Sequence, residues 1–330
     1  MLNTSRSRIL PVLLENAPII LFAGLFAAFS LLSSQFLQGQ NFVNILTQTS
    51  SIAIIAIGMT FVLLTAGIDL SVGSMMFLSA AVLGKMVFQD WPLVLVLPAV
   101  LAAGALYGAV NAFFIVRLRI VPFIVTLGTL FIGRGLGLWI TETRAMNLPD
   151  RFSELASLRT LGIPAPILAF ALVTAVAHFI LTQTTFGRQI YAVGYDREAA
   201  AKAGINVNRI LAAVYVISGL CAVMGGMVSL AQLGAVAPTF GSQREFAAIA
   251  AAVLGGASLF GGRGRIFPGT VLGATTFQLI ENGMVILNAD PYLYPLVTGL
   301  IIFMAVFIDS LRHTQLSKLR RRKIRTEKTT

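Results

Sequence analysis

Polar side chains able to do chemistry are few in this chain, and most sit inside apolar runs. Asp69 lies in Ala66-Gly67-Ile68-Asp69-Leu70-Ser71-Val72-Gly73-Ser74, a short interruption between two apolar stretches. Two readings stand for its carboxylate. Asp or Ser before an apolar run routinely caps a helix by accepting a free backbone N–H. Alternatively the segment structures a gate. Gly67 and Gly73 allow backbone conformations closed to other residues, Ser71 adds a hydroxyl, and non-helical backbone at membrane depth is tolerated where it is buried in protein or lines a cavity. Asn111, Thr126, Arg134, Gln278, Glu281 and Asn282 lie in or beside other apolar runs. Polar groups placed so face a bundle interior. They would line a solute path or bond a neighbouring helix, the commoner use of Asn and Gln. Arg134 and Glu281 are costly unpaired in lipid, and a mutual ion pair is one way to offset that cost. No catalytic or metal-binding set emerges. His178 lacks an acidic or cysteine partner at ligand spacing, and Cys221 is the single cysteine. Gly255-Gly256 and Gly261-Gly262-Arg263-Gly264 are glycine-rich, but no Lys-Ser/Thr follows to complete a phosphate loop.

The elements that must position these groups are membrane helices. Hydrophobic residues make up 57% and charged residues 11% of the chain, against roughly 25% charged in a soluble domain. Apolar stretches of about 20 residues, enough to cross a bilayer, recur throughout. A membrane β-barrel would instead show alternating segments of about 10 residues. The expected fold is an all-α, polytopic helical bundle with ten spans near 17–34, 45–66, 70–89, 92–116, 121–141, 163–182, 209–231, 245–261, 266–288 and 291–309, and a broken or re-entrant element near 66–74. The regions 45–89 and 246–287 share an apolar run, a glycine-leucine-glycine pattern and a second apolar run, as an internal duplication would.

Charge then orients the bundle. With the N-terminus inside, Arg117, Arg119, Arg188, Arg197, Lys202, Arg209, Arg263 and Arg265 fall on the inner side, as the positive-inside rule requires. The outer side takes Arg144, Arg151, Arg159 and Arg244 with Asp90, Glu142, Asp150, Glu154, Glu245 and Asp290. Residues 1–16 then form a cytoplasmic tail, 17–309 the membrane domain with a cytoplasmic loop at 183–208, and 310–330 a basic cytoplasmic tail. The run at Ala17–Leu32 is longer than a typical signal-peptide core and no clean cleavage site follows, so it reads as a retained helix. Net charge is +11, but eight basic residues cluster between Arg312 and Lys328, directly after a membrane segment. That placement reads as a topology signal and anionic-lipid contact, not a nucleic-acid surface. The outer loop at 142–162 carries both signs of charge and reads as a solvated loop or a docking surface.

Five motifs occur in order: Thr65-Ala-Gly-Ile-Asp-Leu-Ser-Val-Gly-Ser74; Pro122-Phe-Ile-Val-Thr-Leu-Gly-Thr129 with Arg134-Gly135; Thr185-Phe-Gly-Arg-Gln-Ile-Tyr-Ala-Val-Gly194; Glu198-Ala-Ala-Ala-Lys-Ala-Gly-Ile-Asn-Val-Asn208; and Ala251-Ala-Val-Leu-Gly-Gly-Ala-Ser-Leu-Phe-Gly-Gly-Arg-Gly-Arg265. Together they resemble the ribose/xylose/arabinose/galactoside class of ABC importer permeases over roughly residues 40–310. The resemblance implies an inner-membrane permease without an ATPase site of its own. It implies a second permease copy or paralogue, ABC ATPase subunits that hold ATP and Mg, and a periplasmic sugar-binding protein. Arg197, Glu198, Ala199, Ala200, Lys202 and Gly204 would then form a short helix docking on the ATPase, with Gly204 ending it. Alternatives are the related branched-chain amino-acid permeases, an ion-coupled secondary transporter, or a non-transporting membrane scaffold.

Overall fold

The computed structural model describes residues 16–149, 152, 154 and 157–327. The expected tail over 1–15, the loop charges at Asp150 and Arg151, and the basic side chains from Lys318 to Lys328 lie outside what is described. Helix α1 (Ala17–Leu32) leads through a 3₁₀ turn (Ser34–Leu37) to α2 (Gly39–Leu64). A non-helical stretch separates α2 from α3 (Val72–Phe88). Next come α4 (Leu93–Ala112), extended by a π turn (Phe113–Arg117), and α5 (Pro122–Thr141). Short strands β1 (Met146–Asn147), β2 (Arg159–Thr160) and β3 (Ile163–Pro164) precede α6 (Ala165–Gln183), α7 (Thr185–Tyr195), α8 (Arg197–Lys202) and α9 (Val207–Leu233). Strand β4 (Ala235–Val236), α10 (Arg244–Leu254), a π turn (Ile266–Thr270), α11 (Val271–Ile286), a 3₁₀ turn (Pro291–Leu293) and α12 (Tyr294–Glu327) complete the order.

Six helices among the described residues are long and apolar enough to cross a membrane: Gly39–Leu64, Leu93–Arg117, Pro122–Thr141, Ala165–Gln183, Val207–Leu233 and Pro291–Arg312. The chain is thus an all-α, multi-pass membrane protein, but the count of ten spans is not confirmed. The shortfall has physical causes. Helices α1, α3 and α11 have 16, 17 and 16 residues, rising about 24–26 Å at 1.5 Å per residue, under the ~30 Å hydrocarbon core. The apolar run at 245–261 is helical only over the 11 residues of α10, about 16 Å. The glycines that follow leave the helix.

Helix α10 also begins in an unexpected place. Gly241, just before it, packs beside Gly73 and Met76, and Met76 packs beside Gly226 well within α9. The chain therefore re-enters after β4, and α10 is a half-helix starting inside the span. Arg244 and Glu245 do not form part of an outer loop as charge counting suggested; Glu245 is 6% exposed.

The core is built on α2 and α9, whose membrane windows are 83% and 61% buried, against 6% for α12. Glycine makes the seam between α9 and α4. A side chain at Gly108 would strike the Tyr215 carbonyl, and one at Gly219 the Gly104 carbonyl. Small residues spaced so let backbones close where lipid offers no hydrophobic drive. On the face away from the 183–208 loop, β1 pairs antiparallel with β4, Met146 opposite Val236. That pairing ties the chain after α5 to the chain after α9.

Candidate functional site

The break between α2 and α3 is a fully buried polar knot. Asp69 has no exposed surface. Its Oδ1 accepts from the Ser71 backbone N–H at 3.0 Å and the Ser71 hydroxyl at 2.5 Å. Its Oδ2 accepts from the Ser218 hydroxyl of α9 at 2.8 Å. Asp69 thus sits two residues ahead of the cap position, Ser71, and turns the chain into α3.

The knot spreads from there. Asn111 of α4 donates to the Ser71 hydroxyl oxygen at 2.8 Å and accepts from the Thr129 hydroxyl of α5 at 2.8 Å. The Tyr107 hydroxyl donates to the Thr129 carbonyl and lies 3.1 Å from the Ser74 hydroxyl. The Thr126 hydroxyl bonds the Pro122 carbonyl at 2.9 Å and reaches the Ile68 carbonyl at 3.4 Å. Gly67 packs against the Tyr215 hydroxyl. Asp69, Ser71, Asn111 and Thr126, singled out separately in the sequence, converge here.

Gly73 and Arg134 occupy a neighbouring site at the start of α10. Gly73 lies against the Glu245 carboxylate and the Gly241 carbonyl, with no room for a Cβ. Arg134 donates to the Phe240 carbonyl at 2.6 Å, and its guanidinium stands 5.1 Å from the centre of the Phe77 ring. It also attracts Glu245 electrostatically, whose Oε2 has no hydrogen-bond partner among the described residues. The mutual ion pair of Arg134 and Glu281 is not what forms. Glu281 is drawn electrostatically to Arg244 of α10. Arg134 is drawn instead to Glu245, one residue further along α10.

Gln278 and Asn282 belong to a different seam, between α11 and the N-terminal half of α2. Gln278 donates to Gln48 at 2.8 Å. Asn282 and Asn41 exchange two amide bonds at 3.0 and 3.2 Å.

The Glu-Ala-Ala segment forms the six-residue helix α8. The Asp196 side chain caps it, accepting from the N–H groups of Glu198 at 2.9 Å and Ala199 at 3.0 Å. Gly204 takes a left-handed φ of +83° just beyond its end, where glycine is the favoured residue. Ala200 alone is buried; Arg197, Glu198, Ala199, Ala201 and Lys202 are exposed. Arg197 turns back and donates to the Thr65 carbonyl at 2.8 Å. The glycine-rich loop 258–265 closes the same junction. The Gly262 N–H donates to the Leu64 carbonyl at 2.9 Å, and the Tyr191 hydroxyl to the Gly264 carbonyl at 2.7 Å. Burial pushes the Tyr191 phenol up, with Arg265 pulling the other way, so the hydroxyl keeps its proton. Asp309 of α12 pins the loop from behind, accepting from the Ser258 hydroxyl at 3.1 Å and the Leu259 N–H at 2.9 Å.

Sequence reasoning missed Ser218, Tyr107, Thr129, Tyr215, Glu245 and Asp309 as members of these clusters. A hydroxyl in an apolar helix carries no local sign of its partner, and Ser218 is 149 positions from Asp69. Glu245 and Asp309 did carry a signal: each is a carboxylate in or beside an apolar run. Among the described residues no three His, Cys, Asp or Glu side chains gather to hold a metal.

The structure is thus a multi-pass helical bundle with a broken helix at its core, a buried half-helix beside it and an exposed capped helix on one face. Residues 41–306 match the family model described as "Branched-chain amino acid transport system / permease component", and the chain belongs to that family. It is 38% identical to the ribose import permease protein of Haemophilus influenzae over 95% of this chain and 98% of that one. It is 38% identical to the D-allose transport system permease protein of Escherichia coli over 86% and 87%. Identity to the fructose import permease protein of Rhizobium meliloti is 34%, over 88% and 83%. No solved structure matches it significantly.

Proposed function

We propose that this chain is the permease subunit of a binding-protein-dependent ABC importer. It passes a monosaccharide, a ribose-like pentose, a hexose or a related polyol, across the inner membrane, with both termini cytoplasmic. ATP and Mg bind on separate ABC ATPase subunits, which dock on the exposed face of α8 around Glu198 and Lys202. A periplasmic sugar-binding protein delivers substrate on the opposite face, where Lys85, Trp139 and Glu142 line a depression between the ends of α3 and α5. A second permease copy or paralogue completes the pore, and the basic tail contacts anionic lipid. The buried knot around Asp69 is the gate element, and Arg134 with Gly73 and Glu245 flanks it.

One observation carries the reading: α8 is capped, exposed and joined by Arg197 to the broken helix, as a docking element acting on a gate must be. Sugar is favoured as cargo because the relatives are named for ribose import, D-allose transport and fructose import. A branched-chain amino acid is the second reading, favoured by the family description alone. Copurification and uptake test the docking. Glu198→Lys and Gly204→Pro leave the protein inserted but lose bound ATPase and uptake; normal values in both would defeat the assignment. Competition of labelled ribose uptake by unlabelled leucine separates the two cargoes, and no competition is expected.

A further inference from the structure

We infer that Arg197 is a positioning residue that transmits motion of the docking helix into the broken segment, and is not itself a contact of the ATPase. The inference rests on the reading of α8 as the docking helix. Arg197 is the first residue of α8, yet its guanidinium leaves the helix and donates to the Thr65 carbonyl at 2.8 Å. Thr65 is the C-cap of α2. The last carbonyls of a helix have no partner within it, and a basic side chain there is favoured by both hydrogen bonding and the dipole.

Both ends of the break are held by the same arm of the protein. Arg197 grips the chain at Thr65. Asp69, four residues later, is gripped by Ser218 of α9, the helix that follows α8 after the short turn 203–206. The adjacent carbonyl, Leu64, is clasped by Gly262. Gly194, two residues before the Asp196 cap, sits so close to the Leu64 carbonyl that no side chain fits. A tilt of α8 relative to α9 therefore cannot be absorbed by a loose loop. It pulls Thr65 against Asp69 and works on the residues between them, whose Gly67 and Ile68 face α9 and α5. Arginine suits this task, since its planar fork holds a fixed direction that a lysine ammonium does not.

The test uses the complete complex of this chain with its ATPase subunits and binding protein in proteoliposomes, with three readings: bound ATPase, ATP hydrolysis and uptake of labelled monosaccharide. Arg197→Ala is expected to retain bound ATPase and ATP hydrolysis, while uptake per ATP hydrolysed falls by about tenfold or more, the size a lost charge-assisted hydrogen bond carries. Arg197→Lys should restore part of it. Arg197→Gln, expected to uncouple in the same way, serves if the alanine variant fails to insert. Loss of bound ATPase in an inserted variant would make Arg197 a docking contact and overturn the inference alone. Unchanged uptake per ATP would overturn it equally. An unaltered chain that binds no ATPase would end both the inference and the docking reading beneath it.

Discussion

Asp69 shows how much one side chain can organise. Its two oxygens take three donors from two places in the chain, and none of the three is a cation. Asp69→Asn replaces one acceptor oxygen by an NH₂ that must face a donor. Ser218→Ala removes one donor and leaves Oδ2 short. Each should lower stability in detergent unfolding by about 1–3 kcal/mol, with Asp69→Asn also reducing uptake; an unchanged unfolding midpoint in both would show that the knot contributes little. Asn282 provides the contrast. Its amide is spent on Asn41, so Asn282→Leu should cost about 0.6 kcal/mol, as interhelical polar pairs in lipid do. The dependence of uptake on substrate concentration should stay put. A changed dependence would instead place Asn282 on the solute path. The local half of the Asp69 knot was legible in the sequence, because Asp69 and Ser71 are two positions apart beside a helix start. Its partners Ser218, Asn111 and Tyr107 were not, because nothing in a one-dimensional pattern pairs a hydroxyl on one helix with a carboxylate on another.

Elements explain where hydropathy succeeds and where it stops. Long apolar helices such as α4 and α9 were legible to within about two residues, whereas α2 begins six residues before its apolar run, in the polar stretch Gly39–Asn44. The segment 245–261 was not, because averaging hydropathy over its alanine and leucine residues hides the glycines from Gly255 onward, where the helix ends. The half-helix α10 results, and with it the misplaced Arg244 and Glu245. The α4–α9 seam makes a sharp prediction at this scale. Gly108→Val drives branched carbons into the Tyr215 carbonyl and separates the two helices that carry Asn111 and Ser218. It should abolish folded, monodisperse protein in detergent size-exclusion, whereas Gly135→Ala, with open space around it, should elute as the unaltered chain does. Equal behaviour of the two would mean that the close approach of α4 and α9 is not what holds the bundle.

At the scale of the whole molecule, three otherwise distant pieces meet at one junction: the end of α2, the arm carrying α8, and the glycine-rich loop pinned by Asp309. This arrangement gives the two glycine-bearing breaks, 65–71 and 255–265, a common anchor. Thr60, in the last turns of α2, and Thr270, in the π turn after the second break, bond each other at 2.8 Å. The matching patterns that suggested a duplication thus fall on two helix–break–helix units packed side by side. The proposed function has a push on α8 reach the buried knot through this junction, with the energy source held by another chain. Reconstitution tests this most directly. Proteoliposomes containing this chain, its ATPase subunits and binding protein should accumulate labelled monosaccharide only with ATP and Mg inside the reaction compartment facing α8. The same chain alone under a proton or sodium gradient should accumulate none. Gradient-driven uptake by the chain alone would contradict the account.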